Sequence, residues 1–430
     1  MMVKVQITLM LVGLVGLTGC VIEEDGIQVS PPPPTKMNVV VDRLHGVDVP
    51  DPYRWLEDQG APETRAWIDA QNAYTDSVLD VLPRRDEISH LAANVIKRDA
   101  VGLPAERSGR YFFSMRRADQ QLDVIYVREG LHGGDRVLID PHPMSPDHTT
   151  SVQLRDLSTD GTKAVYSVRE GGVDEVSIRV RDVETGEDLT DVLPPARYGE
   201  VHLAGDAAGL YYTRYGDVTP RVLYHDFGTS FSDDVVLFGD GYEQHHIPVT
   251  VLSDDGRWLV VHIIEGSSGP TEIHVKDLQG DAPFVTAIAD GVSESWAEFA
   301  GDELVITTNL GAPNKRVVLA DPAKPEVDMW REVIPARDDV VVQAAYGLGG
   351  RLAVSYLQDV QPRFALHSPE GGHVRDITFD TIGSVGGGSG RWDSPEAFFT
   401  YETFHVPRTI FRYDVETGEQ TVWSEPVTPV

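Results

Sequence analysis

A chain of 430 residues with 41% hydrophobic and 24% charged residues has the make-up of a folded globular protein, long enough to bury roughly three quarters of its unfolded surface, which excludes wholesale disorder. Its 68 acidic residues outnumber its 36 basic ones, for a net charge of −32; a field of that sign repels phosphodiester backbones, so nucleic acid is excluded as a partner. Solubility accounts for the acidity, which names no partner of its own.

Residues 1–19 carry one charged side chain, Lys4, and an apolar run from Val5 through Leu17, too short to span a bilayer and suited to a signal-peptide core. The run closes on Leu17-Thr18-Gly19-Cys20, which resembles a bacterial lipoprotein signal. That resemblance implies cleavage before Cys20, its lipidation, and a protein anchored by lipid at the cell envelope on the periplasmic or extracellular face. Cys20 is the one cysteine of the chain, so it forms no internal disulfide; a cleaved signal with an incidental cysteine is the alternative. Residues 20–37, with Glu23, Glu24, Asp25 and the tract Pro31–Pro34, read as a solvated, semi-rigid tether.

A helical segment over 38–100 follows. Pro62 suits a first helical turn and Glu63 the positive end of a helix dipole, while Trp67, Ala70, Tyr74 and Val78 keep three- and four-residue spacing, which predicts a helix over 61–82 ended by Leu82-Pro83. A second helix is predicted over 85–96, with Ile88, Leu91 and Val95 on one side. The plainest role for such a stripe is packing against a neighbour.

From about residue 101 to 428 the chain repeats itself. Seven times a tight polar or glycine-bearing turn leads into an apolar strand, as in Gly109-Arg110-Tyr111-Phe112-Phe113 and Asp255-Gly256-Arg257-Trp258-Leu259-Val260. Tyr111, Val165, Tyr211, Val260, Val305, Ala353 and Phe398 are equivalent positions, 45 to 54 residues apart. A second strand keeps register in each unit and in five copies ends on an aspartate: Asp182, Asp226, Asp277, Asp321 and Asp414. This pattern predicts an all-β fold, a seven-bladed β-propeller preceded by the short helical segment. The near-identical Asp182-Val183-Glu184-Thr185-Gly186 and Asp414-Val415-Glu416-Thr417-Gly418 read as hairpin turns, their aspartates turn formers and not ligands. Gly383–Gly390 lacks the Gly-Lys-Ser/Thr ending of a phosphate loop and reads as a loop between strands.

The run His45-Gly46-Val47-Asp48-Val49-Pro50-Asp51-Pro52-Tyr53-Arg54-Trp55-Leu56-Glu57-Asp58, with Ala66-Trp67-Ile68-Asp69-Ala70-Gln71-Asn72-Ala73-Tyr74, resembles the N-terminal region of prolyl oligopeptidases. Tyr224-His225-Asp226-Phe227-Gly228-Thr229 and Thr409-Ile410-Phe411-Arg412-Tyr413-Asp414 extend the resemblance over roughly residues 38 to 425. It implies a serine peptidase that cleaves short peptides after proline, in which a propeller covers an α/β-hydrolase domain. It also implies that the face around Trp55, Trp67 and Tyr74 contacts that partner domain.

The chain departs from the family in its chemistry. A hydrolase nucleophile sits in Gly-x-Ser-x-Gly, with acid and histidine following; the nearest run, Gly387-Gly388-Ser389-Gly390-Arg391, fails at its last position. No catalytic residue is therefore assigned, and the chain is expected to be inactive alone. The substrate-touching arginine of the family's propellers falls near Glu272. His245-His246 beside Glu243, and His225 beside Asp226, lie in or near strands whose neighbouring side chains point to opposite faces, against a metal role; no cofactor is expected. Three readings follow: the propeller-bearing part of a split or truncated peptidase, with a separately encoded α/β-hydrolase domain as partner; a lipid-anchored propeller binding a peptide or protein ligand without catalysis; and a scaffold in an envelope complex.

Overall fold

The computed structural model describes residues 29–426, apart from 217, 267, 268 and 290. The expected signal peptide, Cys20 and the first half of the tether lie outside the described residues. The chain divides into a unit ending at Ile96 and one beginning at Lys97.

In the first unit, β1 (Val40–Leu44) and β2 (Val47–Asp51) form an antiparallel ribbon. Its two-residue turn, His45-Gly46, has φ of 51° and 83°, the left-handed pair that matches the twist of a hairpin. Arg54, in a 3-10 turn, is fixed to Asp51 at 2.8 Å and to Asp42, tying turn to ribbon. α1 (Pro62–Leu79) starts on Pro62 as its spacing predicts, and the Asp58 carboxylate accepts from the amides of Gly60 and Ala61 just ahead of it. α2 (Arg85–Ile96) occupies the predicted range.

In the second unit the described residues form seven antiparallel sheets, each from one continuous stretch: blades 1 to 7 at 100–139, 151–196, 198–238, 246–288, 295–334, 341–377 and 384–424. Blades 2 to 7 have four strands in sequence order; in blade 1 the first strand is split into Ala100–Val101 and Ala105–Arg107, both paired to Arg110–Arg116. All seven equivalent positions fall in the second strand of their blades, opposite third-strand partners such as Val180 for Val165, Val275 for Val260 and Leu319 for Val305. First strands lie against one another in blades 2 and 3, 3 and 4, 5 and 6, and 7 and 1.

Hydrophobic clusters form between neighbouring blades. Phe112, Ile125 and Val127 of blade 1 join Ala164 and Tyr166 of blade 2, all at most 1% exposed; each large side chain so buried contributes about 1.5–3 kcal/mol. The turn aspartates behave as turn formers. Asp182 accepts from the amide and hydroxyl of Thr185, Asp414 accepts from the Thr417 amide, and Gly186 and Gly418 take φ of 72° and 79°.

Gly383–Gly390 is not a loop. Ser384–Gly390 is the innermost strand of blade 7, with a bulge at Gly387, where φ is 56°. A glycine run shows no alternation of side chains, so periodicity conceals the strand. Blades 1 and 7 share no strand. Their seam is closed by Tyr111, Phe398 and Ile410 with the half-buried Trp423, whose ring lies 4.7 Å below the Arg128 guanidinium.

Candidate functional site

The inner strands carry the groups a channel-borne ligand would meet. Those of blades 4 and 5 pair without interruption, whereas in blade 2 the register slips between Leu154 and Asp156, leaving Arg155 as the extra residue. A bulge re-aims the side chain it carries. Arg155 lines a cavity of about 360 Å³ between blades 2 and 3 with Arg169, Arg197, Asp174, Tyr198 and Tyr215, and a neighbouring one of about 280 Å³ with Glu200 and His202. Arg197 is paired with Glu175 at 3.2 Å and Asp174 at 3.4 Å, and Arg169 donates to the Val173 carbonyl at 2.6 Å. Arg155 donates to the Gly199 carbonyl and has no carboxylate partner among the described residues. Burial pushes the Tyr198 phenol up to about 12, so it stays a neutral wall. Arg169 is also 3.8 Å from Asp174, so Arg155 is the one of these three arginines open to an anionic group.

Where the inner strands end, a smaller cavity of about 110 Å³ holds Arg107 and Arg391 with Asp156 and Asp254. Burial, and then the Arg391 charge, push the Arg107 guanidinium below its ordinary value. The Asp156 carboxylate is committed to the Leu203 amide at 2.7 Å, stitching blade 2 to blade 3.

Glu272 accepts from the Tyr242 hydroxyl at 2.7 Å and lies 3.0 Å from His274 Nε2, with its side chain 14% exposed. These partners hold it in the third strand of blade 4, Thr271–Asp277, away from the inner strand. His225 is not partnered by its neighbour Asp226. Its Nδ1 lies 2.7 Å from Asp234 and its Nε2 3.3 Å from Asp191, all three side chains at most 8% exposed. Asp191 belongs to the outer strand of blade 2, so this imidazole fastens two blades together. His245 lies 3.6 Å from Glu243 and 3.4 Å from Glu265, half exposed; among the described residues no group of three or more His, Cys, Asp or Glu is arranged to hold a metal ion.

Trp55 and Trp67 are brought together, their indoles edge to face at 6.4 Å, while Tyr74 lies two turns further along α1. Their polar atoms meet the end of the expected tether: Trp55 Nε1 donates to the Lys36 carbonyl at 3.0 Å, Trp67 Nε1 to Thr35 Oγ1 at 3.0 Å, and Tyr74 to the Ser30 carbonyl at 2.5 Å. Gln71 adds a bond to the Pro33 carbonyl at 3.1 Å. Positions 67, 71 and 74 share one helix face, so residues 30–36 are strapped along α1. The unit's uncovered apolar surface lies elsewhere: Ile88, Leu91 and Val95 of α2 are 56–59% exposed, and Val41 and Val47 of the ribbon are equally open. The stripe on α2 was legible in the spacing; the strap was not.

The family model of the prolyl oligopeptidase N-terminal β-propeller domain matches residues 32–426. The prolyl endopeptidase of Elizabethkingia meningoseptica is 30% identical over 407 residues, which cover 92% of this chain and 57% of the relative. Dipeptidyl aminopeptidase BI of Pseudoxanthomonas mexicana is 24% identical, with 91% and 57% covered. A solved structure from a study of two prolyl endopeptidases and their inter-domain dynamics superposes with a TM-score of 0.86 at 30% identity, covering 93% of this chain and 60% of its own. Prolyl oligopeptidase B of Galerina marginata, bound to a 35-residue hydrolysis and macrocyclisation substrate, shares the fold at a TM-score of 0.81 and 22% identity, with 92% and 60% covered. The chain thus spans somewhat over half the length of the relatives it matches. With the seven blades in register and a family match running unbroken from residue 32 to 426, the chain belongs to the prolyl oligopeptidase family, of which it carries the N-terminal β-propeller region.

Proposed function

We propose that this chain is the propeller-bearing part of a proline-directed serine peptidase, whose nucleophile, acid and histidine come from a hydrolase portion outside these 430 residues. The observation that carries the reading is the continuous match over 32–426 to the prolyl oligopeptidase propeller, including the ribbon and helices that precede it. The open stripe Ile88, Leu91 and Val95 supports it, because an exposed helix face of this kind marks a partner site. In the assembled enzyme the hydrolase performs acyl transfer, and the ring acts as a size filter that admits short peptides and turns folded proteins away. Arg155, which has no carboxylate partner among the described residues, contributes the positive charge that orients a peptide carboxylate. We further propose that Cys20 is acylated and holds the assembly at the cell envelope.

The test combines the full chain with the hydrolase portion of a related prolyl endopeptidase and follows release of a chromophore from a short proline-containing peptide. The expected result is cleavage after proline that neither part gives alone, with a folded protein substrate left intact. Leu91→Glu should abolish association while leaving the chain's melting temperature unchanged, since a solvent-facing charge costs little. Formation of a stable complex without cleavage would overturn the peptidase reading and favour a peptide-binding propeller without chemistry.

A further inference from the structure

We propose that the innermost strands of blades 6 and 7 form a neutral wall of the channel that holds an uncharged, extended stretch of peptide, paired main chain to main chain along the edge of Ser384–Gly390, with one small apolar side chain lodged between the two blades. This role rests on the peptidase reading and names the part of the substrate that the wall takes.

Charge sets these two strands apart. The innermost strands of blades 1 to 5 carry, in turn, Glu106 and Arg107, Arg155 and Asp156, Glu200 and His202, His246, and Glu298. Val341–Leu348 of blade 6 and Ser384–Gly390 of blade 7 contain no acid, base or histidine. In a protein of net charge −32 such a wall neither attracts ions nor repels them, and what it offers is hydrogen bonding.

Ser384–Gly390 ends its sheet, so the side of the strand away from Glu396–Glu402 is paired with no other strand. An edge of this kind presents amides and carbonyls that an incoming strand can pair. Gly386, Gly387 and Gly388 are exposed and carry no side chain to screen it. Backbone geometry requires Gly387, with its φ of 56°, and packing requires Gly390, whose β-carbon would collide with Leu348. Neither requires Gly388: its φ is not left-handed, and a β-carbon there would stand 3.4 Å from Tyr346 Oη, an ordinary contact. Close approach of a ligand's backbone accounts for a glycine that the fold does not demand.

Blade 6 supplies side-chain partners. Tyr346 brings its hydroxyl to Gly388, is 36% exposed, and has no hydrogen-bond partner among the described residues. Gln343 is exposed as the extra residue of a bulge, and its amide has none either. The first strands of blades 6 and 7 do not lie against each other as those of blades 5 and 6 do. Between these blades runs a pocket of about 80 Å³, lined at its inner end by Tyr346, Gly388 and Ser389 and further out by Phe364, Phe379 and Phe399, with no charged residue in its lining. Free phenol and amide, open strand edge and small uncharged pocket fit the interior of a peptide, whose main chain is a row of neutral donors and acceptors, and not its charged ends.

The test titrates the full chain calorimetrically with acetyl-Gly-Ala-Val-Ala-Gly-amide and with two forms of it, one N-methylated at the valine and its second neighbours, the other at the two residues between. Once the valine fills the pocket, only one set of amides can face the strand edge. One methylated form should therefore lose at least about tenfold in affinity, and the other should bind like the parent. Both forms binding like the parent, both failing, or a parent that does not bind overturns the pairing. Gly388→Val, which suits a strand and fills the inner end of the pocket, should abolish binding with the melting temperature unchanged, and Tyr346→Phe should weaken it about two- to tenfold. Binding unmoved by both substitutions overturns the site. No cleavage is measured and no hydrolase portion is added, so a negative result here is distinguishable from failure of the peptidase reading.

Discussion

The turns Ser158-Thr159-Asp160-Gly161 and Ser253-Asp254-Asp255-Gly256 repeat one device in blades 2 and 4. The serine hydroxyl donates to the aspartate, at 2.6 and 2.5 Å, and accepts the amide five residues on, from Lys163 and from Trp258. The Ser158 hydroxyl first, and then the Thr162 amide, hold the Asp160 carboxyl down at about 2. A carboxyl whose folded pKa is depressed stabilises the fold above its unfolded value, and that contribution disappears as pH falls through the folded value. Asp160→Asn should therefore be less stable than the native chain at pH 6, with the gap closing between about pH 4 and pH 2. Urea midpoints across that range check it, and both proteins share the −32 background, so the difference isolates this group. A gap that stays constant with pH would assign the effect to side-chain geometry and not to charge.

Among the elements, blade 7 is marked by an inner strand that is largely glycine, and like every blade it is a separate sheet, meeting blade 1 through side chains around Tyr111, Phe398 and Trp423. Trp423 meets Tyr111 at 5.2 Å, Phe398 at 5.1 Å and Phe113 at 6.2 Å. Trp423→Ala should cost about 3 kcal/mol, and hydrogen exchange should then quicken in blades 1 and 7 before the others; uniform quickening around the ring would count against the seam as the weak point. The second and third strands were legible because their signals are local: a turn residue, then a β-branched run of the right length. The inner strand at Ser384–Gly390 was not, because glycine carries no pattern. Arg155 was equally hidden, since a bulge is a property of the register between two strands and leaves no mark on either.

At the scale of the whole molecule, the cavities beside the inner strands carry both signs: Arg169 and Arg197 are paired with Asp174 and Glu175, Arg107 and Arg391 share their cavity with Asp156 and Asp254, and Arg155 has no carboxylate partner among the described residues. Field lines in a low-dielectric passage concentrate on an unpaired charge, so Arg155 is the group an anionic ligand would meet there. The strap of residues 30–36 on α1 bears on reach. With Cys20 acylated, as we propose, the leash between lipid and strap is residues 21–29, at most about 30 Å when fully drawn. Cys20→Ser should release the chain from membranes, as fractionation after labelling with a fatty acid would show; retention of the variant would place the anchor elsewhere. The strapped segment would then stay within about 30 Å of the lipid surface, so the protein would meet peptides that pass close to the bilayer and miss those that stay in the bulk.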